Sequence, residues 1–465
     1  MEKNKPNIIL MTVDSLRPDH LGFMDYKKNI SPNIDKLAKE SNVFTQAFAV
    51  GPVTPHSLPS LLTSTYPLDF QGPRKIERPR KMISEVLKEK GFLTAAFHSN
   101  AYLSDFFGYN RGWNYFEDII PPYDSDLSVG KVSIKKAIFR ELVSLLGKPS
   151  LALFPELTFR IRYLMYKLGI LRTTPKETPN ANFVNGIVKD FVSAVKDEKK
   201  PFFAWVHYMD IHLPYLPYDC YFKERTLTYS ELVSKELSGF LSKKYRSRGN
   251  FVKFSKKYIE NTIDFYDQGI KYLDEQIGDL MDFLKRENVY QNSVIIFTSD
   301  HGDEFLEHHG GGHTSNLYNE NLKVPLLIKI PEENERKINK KVSLIDLSST
   351  ICGLVGISLN PAFKGKNLFD SKKNIIFHQT AINQKEGWNA SLTEIEKIEN
   401  CKIACQSINW KYILNHSNKK EELYNLIQDP KEQNNLAETE TEILSQMRKK
   451  VKEFEKENPP LSLVE

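Results

Sequence analysis

Val294-Ile295-Ile296-Phe297-Thr298-Ser299-Asp300-His301-Gly302-Asp303 is the stretch that decides how this chain is read. Its first six residues form a short, continuous run, rich in β-branched side chains, as expected of a strand buried on both faces. The run then stops on a carboxylate and an imidazole. The same pattern opens the chain, where Ile8-Ile9-Leu10-Met11-Thr12-Val13 ends on Asp14. In open α/β sheets ligands bind outside the carboxyl ends of the strands. Charges are seldom placed at such an edge unless they hold a cation or a substrate. Either segment alone is also compatible with a helix N-cap, since Asp caps well. Two carboxylates and an imidazole arriving together predict a metal site built from Asp14, Asp300 and His301, at the edge of a mainly parallel sheet.

Between the two segments lies a candidate nucleophile. Gly51-Pro52-Val53-Thr54-Pro55-His56-Ser57-Leu58-Pro59-Ser60-Leu61-Leu62-Thr63-Ser64 begins as a loop and runs into a short helix. Thr54 and Ser57 both place hydroxyls near the helix start, where free N–H groups and a partial positive charge suit an anionic group in transfer. A hydroxyl is a weak nucleophile at its own pKa, and a divalent ion beside it corrects that. The structural alternative is that one of these residues merely caps the helix.

These motifs, in this order, resemble the sulfatase family of the alkaline phosphatase superfamily. The resemblance runs from Pro6-Asn7-Ile8-Ile9-Leu10 and Val13-Asp14-Ser15-Leu16-Arg17-Pro18-Asp19-His20, through Ser31-Pro32-Asn33-Ile34-Asp35-Lys36-Leu37 and Leu61-Leu62-Thr63-Ser64-Thr65-Tyr66-Pro67, to Thr298-Ser299-Asp300-His301-Gly302-Asp303. Leu423-Tyr424-Asn425-Leu426, Asp429-Pro430 and Asn435-Leu436 complete it near the C-terminus. The resemblance implies an alkaline-phosphatase-like α/β sandwich with a small C-terminal α+β part. It also implies a divalent ion (Ca, Mg, Mn or Zn) on Asp14, Thr54, Asp300 and His301. Oxygen ligands with one imidazole suit Mg²⁺, Ca²⁺ or Mn²⁺, and further histidines favour Zn²⁺.

Counting back from Leu61-Leu62-Thr63, the family's modified Cys or Ser falls on Thr54, its usual Pro on His56 and its usual Arg on Leu58. Many members carry a second Asp where this chain has Ser15. A sulfatase of the common type uses formylglycine, made by oxidising Cys or Ser, and Thr cannot become that aldehyde. A threonine sulfate would lack the exit that the aldehyde hydrate provides, whereas water or another alcohol can attack a phosphothreonine in line. The resemblance therefore implies a metal-dependent hydrolase or transferase of phosphate or phosphonate esters, with sulfuric ester hydrolysis and mere anion binding as alternatives. It further implies catalytic roles for His212 and His313 beside Thr54, and substrate contacts from Asn100, His207 and Asp210. A second metal on Asp210, His212 and His313 is the competing reading of those three residues.

Composition sets the outer bounds. The 465 residues are 40% hydrophobic, with 28 Phe and 21 Tyr, enough for one large domain and an appendage. A net charge of +5 is mild for this length and implies no nucleic-acid surface. Cys220, Cys352, Cys401 and Cys405 show no disulfide framework, and the Met1-Glu2-Lys3-Asn4-Lys5-Pro6 start fits no signal peptide. With no apolar run of transmembrane length, a cytoplasmic location is expected.

The expected organisation is a catalytic domain over 1–375, with a variable helical insert at 121–180, and a C-terminal subdomain over 376–465. Lys131 to Arg172 carries nine basic and two acidic residues. It reads as a lid over the site, a membrane-surface element or a solvated face. The expected partner is an anionic ester, on a glycan or a lipid head group. Strands are predicted at 92–97, 202–206, 410–414 and 423–426, and helices at 83–90, 182–196, 258–286 and 440–455.

Overall fold

The computed structural model describes residues 5–69, 75–76, 79–119, 179–215, 256–308, 310–313, 315–370, 374–381 and 401–459, with 160, 164, 228, 230 and 231. Most of the 121–180 insert, Cys220 and the 131–172 basic stretch lie outside them, apart from Arg160 and Leu164.

In chain order the first half runs β1 (Asn7–Val13), α1 (Pro32–Ala38), β2 (Asn42–Phe48), α2 (Thr54–Thr63), α3 (Ile83–Glu89), β3 (Leu93–His98), β4 (Tyr115–Asp118), α4 (Ala181–Val195), β5 (Phe202–Tyr208) and α5 (Lys256–Arg286). The second half runs β6 (Ser293–Ser299), β7 (Glu304–Phe305), β8 (Gly311–Gly312), α6 (Asn319–Leu322), β9 (Lys323–Val324), β10 (Leu326–Lys329), β11 (Arg336–Ser343), α7 (Leu347–Leu354), β12 (Ile376–Ala381), β13 (Cys401–Gln406), β14 (Trp410–Asn415), β15 (Glu421–Asn425) and α8 (Thr441–Glu457).

The large sheet has the order β11-β2-β10-β6-β1-β5-β3-β4, with β9 beside β2. It is parallel except where β10 and β9 run against their neighbours. Two-residue periodicity divides its core. Ile9, Met11 and Val13 point into a cluster with α4 and α5, while Ile8 and Leu10 point into one with α2, α3 and α7. Both faces are covered, which is why β1 and β6 read as continuous apolar runs.

Register then places the chemistry. Val13 lies opposite Ser299, so Asp14 and Asp300 leave adjacent central strands at the same level. Asp300 N–H donates to Val13 O at 3.2 Å and Asp14 N–H to Tyr208 O at 2.9 Å, fixing both strand ends. The predicted elements appear within a few residues of their expected bounds. The antiparallel insertion of β10 between β2 and β6 had no signature in the apolar pattern.

The C-terminal sheet is antiparallel, β12-β13-β14-β15, and packs α8 through Leu444, Met447, Val451 and Phe454. A further apolar cluster joins Phe48, Leu317 and Leu322 to Ile376, Ala404, Ile413 and Tyr424, tying this sheet to the large one. Cys352, Cys401 and Cys405 are buried, Cys405 within the C-terminal core. Among the described residues no helix is long and apolar enough to cross a membrane.

Candidate active site

Asp14, Ser15, Asp300, His301 and Asp303 are all fully buried at the carboxyl edge of the large sheet, and Thr54 is 3% exposed. Thr54 is the first residue of α2, whose N-cap is Val53. Its hydroxyl makes no cap. Instead Oγ1 donates to Asp14 Oδ2 at 3.1 Å and lies 3.3 Å from His301 Nε2. The expected convergence of Asp14, Thr54, Asp300 and His301 is therefore present as geometry. The alternative hydroxyl, Ser57 Oγ, is buried with no partner among the described residues.

The loops are held so that ligand atoms face one another. Ser15 has a left-handed backbone, with φ of 65°. Such a conformation persists where the surroundings over-determine it. Ser15 N–H donates to Asp300 Oδ1 at 3.1 Å, and Ser15 Oγ donates to Asp14 Oδ1 at 2.7 Å. Thus Ser15 orients the Asp14 carboxylate. His301 Nδ1 lies 3.0 Å from Gly302 O. Donation there leaves a lone pair on Nε2, which faces Asp14 and Asp300 at 3.8 and 3.4 Å. Gly302 is required, since a Cβ there would sit 2.2 Å from Glu320 O.

The donor set fits a divalent cation. Ligand atoms of Asp14, Asp300 and His301 lie within 4.8 Å of one another. Asp300 Oδ2 is buried and has no hydrogen-bond partner among the described residues. Burial and the charge of Asp14 push the Asp300 carboxyl well above the ordinary range. Burial works the same way on Asp14, but the imidazoles of His212, His207 and His301 outweigh it and hold Asp14 well below that range. Two carboxyls this close share a proton unless a cation lies between them.

Other expected site residues distribute differently. His313 Nδ1 lies 2.9 Å from Asp303 Oδ1. Its ring centroid is 4.6 Å from that of His301 and 5.1 Å from that of His212. Burial pushes the Asp303 carboxyl up to about 7, and its Oδ2 accepts the hydroxyl of Tyr215. Asn100 Nδ2 donates to Asp14 Oδ2 at 3.2 Å. His207 Nε2 stands 3.7 Å from the same oxygen, and its Nδ1 is 2.9 Å from Thr12 Oγ1. Asn100 and His207 thus face Asp14, where the sequence reading expected substrate contacts.

Asp210, expected with His212 and His313 at a second metal, makes a backbone contact. Its Oδ1 accepts the N–H of Ala181 at 3.0 Å, holding the start of α4. The carboxylate grouped with His212 and His313 within ligand distance is Asp14 instead. The reason is positional, because Asp210 sits on the turn after β5 and turns toward the helix. Residues missed in the sequence were Asp303 and Ser15, both inside quoted motifs. Their roles come from side-chain direction, which spacing does not carry. His56 lies buried in α2 with Nδ1 3.1 Å from Thr380 Oγ1.

A mainly parallel sheet with buried acidic and imidazole groups at its carboxyl edge is the arrangement expected of an alkaline-phosphatase-like fold. Profile comparison narrows this: the Sulfatase family matches residues 6–357, and the family described as N-sulphoglucosamine sulphohydrolase, C-terminal, matches residues 309–457. The chain belongs to the sulfatase family. It is 23% identical over 398 residues to an ulvan-active sulfatase of Formosa agariphila, covering 80% of this chain and 66% of that protein. It is 24% identical over 406 residues to an endo-4-O-sulfatase of Bacteroides thetaiotaomicron, covering 80% and 74%. The matched region thus spans about two thirds to three quarters of these relatives' lengths. The fold is shared with the phosphonate monoester hydrolase of Agrobacterium radiobacter, with a TM-score of 0.67 at 16% identity, over 98% of this chain and 96% of that one.

Proposed function

We propose that this chain hydrolyses anionic phosphate or phosphonate esters, with Thr54 Oγ1 as the attacking oxygen. The observation that carries the reading is the placement of Thr54. Its hydroxyl is buried at a helix N-terminus, between Asp14 Oδ2 and His301 Nε2, and the family resemblance would align it with the oxidisable Cys or Ser.

Asp14, Asp300 and His301, with Thr54 beside them, would hold one divalent ion. When bound, that ion supplies charge neutralisation and a lower hydroxyl pKa. The protein's own groups do the rest. Asp14 orients the Thr54 hydroxyl by accepting its hydrogen bond, and Ser15, Asn100 and His207 hold Asp14 in turn. Attack passes the Thr54 hydroxyl proton to Asp14 Oδ2, forms the Thr54 Oγ1–P bond and breaks the P–O bond to the departing alcohol. The alcohol oxygen takes a proton from the His212–His313 pair, where Asp303 fixes the His313 ring. Water then attacks phosphorus and gives its proton to the His212–His313 pair, the Thr54 O–P bond breaks, and Asp14 returns the proton that restores the hydroxyl. The positive end of α2 favours the anionic group throughout.

A sulfuric ester hydrolase is the second reading, favoured by the names of the two relatives above. Those names also make an anionic glycan ester the best-supported substrate body. Side-by-side kinetics on matched aryl phosphate, phosphonate and sulfate esters separate the readings. Faster phosphate or phosphonate turnover is expected. Faster sulfate release that survives metal exchange and repeated purification would replace the first reading with the second, and no turnover of any ester would leave anion binding alone.

A further inference from the structure

The molecule holds a second charged cavity that the ester chemistry does not use. It opens where the edge of the large sheet meets the C-terminal sheet and has a volume of about 680 Å³. None of Asp14, Thr54, His212, Asp300, His301 and His313 lines it. Its cations are Arg17, Lys323, Lys340, Lys341 and Lys431, and its acids are Asp19, Glu307 and Glu320.

The acids are already committed. Arg17 binds Asp19 at 2.8 Å and Glu307 at 2.6 Å. Glu320 is bonded to His308, and Glu432, behind the cavity, is paired with Lys411 at 2.8 Å. Among the described residues Lys323 and Lys341 have no ion-pair partner. Burial, then the charges of Lys411 and Lys323, push the Lys341 ammonium down to about 7, and burial lowers Lys323 as well.

Lysines on an edge strand ordinarily point to water and discourage strand pairing. Lys341 does otherwise. A register shift between Ile338 and Lys341 sets it beside Gln46, and its Nζ lies 4.8 Å from the Phe48 ring centroid. Bulges of this kind re-aim side chains. Two crowded, partly desolvated ammonium groups with no ion-pair partner among the described residues are a standing cost that an anion would relieve.

We propose that this cavity is an oxyanion site, binding a sulfate or phosphate group on a sugar-sized ligand between Lys323 and Lys341. The volume suits such a ligand. The amides of Gln46, Asn319 and Asn339 line it and can meet hydroxyl groups, while Ile408 and Ile427, 63% and 67% exposed, provide an apolar lip.

The test reads the lysines directly on the full chain. Acylation of individual lysines at pH 7.5 is followed by mass spectrometry with and without sucrose octasulfate, and separately with inorganic sulfate or phosphate. Lys323 and Lys341 should be protected at least about fivefold by millimolar sucrose octasulfate. Protection by the inorganic ions as well would mean that the oxyanion alone suffices. Protection by sucrose octasulfate alone would show that the sugar body contributes. Unchanged acylation of both lysines at saturating sucrose octasulfate would overturn the proposal. As a second measurement, Lys323→Met/Lys341→Met should bind sucrose octasulfate about tenfold more weakly by calorimetry, with turnover of a small aryl ester unchanged. Wild-type affinity in the folded double variant would equally overturn it. The labelling of wild-type protein stands whether or not the variant folds, and it does not depend on which ester Thr54 attacks.

Discussion

Two clusters of two carboxyls and one imidazole draw on the same stretch of chain after β6, and they have opposite chemistry. Asp14, Asp300 and His301 form one, and Glu304, His308 and Glu320 the other; in both, candidate ligand atoms gather within 4.8 Å. In the second cluster the polar atoms already have partners. Glu304 Oε1 accepts from His308 N and Gly310 N, and its Oε2 accepts from Asn316. His308 places Nδ1 against Glu320 and Nε2 2.9 Å from Glu432 O. An imidazole with acceptors on both nitrogens is an imidazolium. Burial opposes that charge, but Glu320, the Glu432 carbonyl and Glu304 outweigh it and raise the pKa to about 9. In the first cluster a carboxylate oxygen of Asp300 is left over. Residue composition alone does not separate a metal site from a structural ion network. The unpartnered acceptor does.

The sharpest way to break the comparison is through activity. Thr54→Ala should lower turnover on the order of 10⁴-fold or more, as loss of a covalent nucleophile does, whereas His308→Gln should retain turnover within a few-fold at pH 7. Steady-state kinetics on the best ester would check both. If Thr54→Ala kept wild-type turnover, Ser57 or a water would have to replace Thr54 as the attacking group.

Divalent ions should also distinguish the clusters. At a hundredfold excess over Kd, Mn²⁺ should stabilise the wild type by about 2.7 kcal/mol, with the gain lost on chelation and in Asp300→Asn. Glu304→Gln should keep the metal-induced gain. A thermal melt with and without Mn²⁺ for the three proteins measures this. The assignment of the ion to Asp14, Asp300 and His301 would fail if Glu304→Gln, and not Asp300→Asn, removed the response.

The His308 network predicts a pH-dependent stability. The folded pKa is raised to about 9 from the ordinary 6.5, so the contribution is full below about pH 6.5 and is lost as pH rises through about 9. The side chains are only 10% and 8% exposed, and the network should contribute on the order of 3 kcal/mol at low pH. His308→Gln should therefore melt well below wild type at pH 6, with the gap closing by pH 10. A gap independent of pH would show that the ring acts by packing on Tyr318, with which it stacks at 3.7 Å.

How much of this was legible beforehand follows from what each signal encodes. Asp14 and Asp300 could be read because a buried parallel strand has an apolar period and an end, and chemistry at strand ends is a topological rule. Thr54 could be read because the motif after it fixed the count. Asn100, His207 and Asp210 could be placed near the site, but not assigned. Whether Asp210 turns to the His212–His313 pair or to the N–H of Ala181 depends on the approach of α4, a helix 29 residues earlier in the chain. Ser15 read as a missing carboxylate, and only its left-handed backbone and two hydrogen bonds make it a support for Asp14 and Asp300. Lys341 carried no signal at all in the sequence, since it is the register shift in β11 that sets it beside Gln46.

The smallest expected effect is the stability change in Thr54→Ala. Had Thr54 been an N-cap, its truncation would expose the helix terminus and cost about 1 kcal/mol or more. It is not a cap; the N-cap is Val53. Removing Oγ1 deletes one hydrogen bond to Asp14 Oδ2, which keeps Asn100 as a donor, while Ser15 still serves Oδ1. The loss should therefore be about 1 kcal/mol or less, or roughly 1 °C in Tm for a chain this long. Calorimetry of Thr54→Ala beside His308→Gln at pH 6 completes the contrast. One residue should matter greatly to turnover and little to folding, and the other the reverse. A drop of several degrees in Thr54→Ala would mean that its hydroxyl is part of the structural network, and would move Thr54 to the His308 side of the comparison.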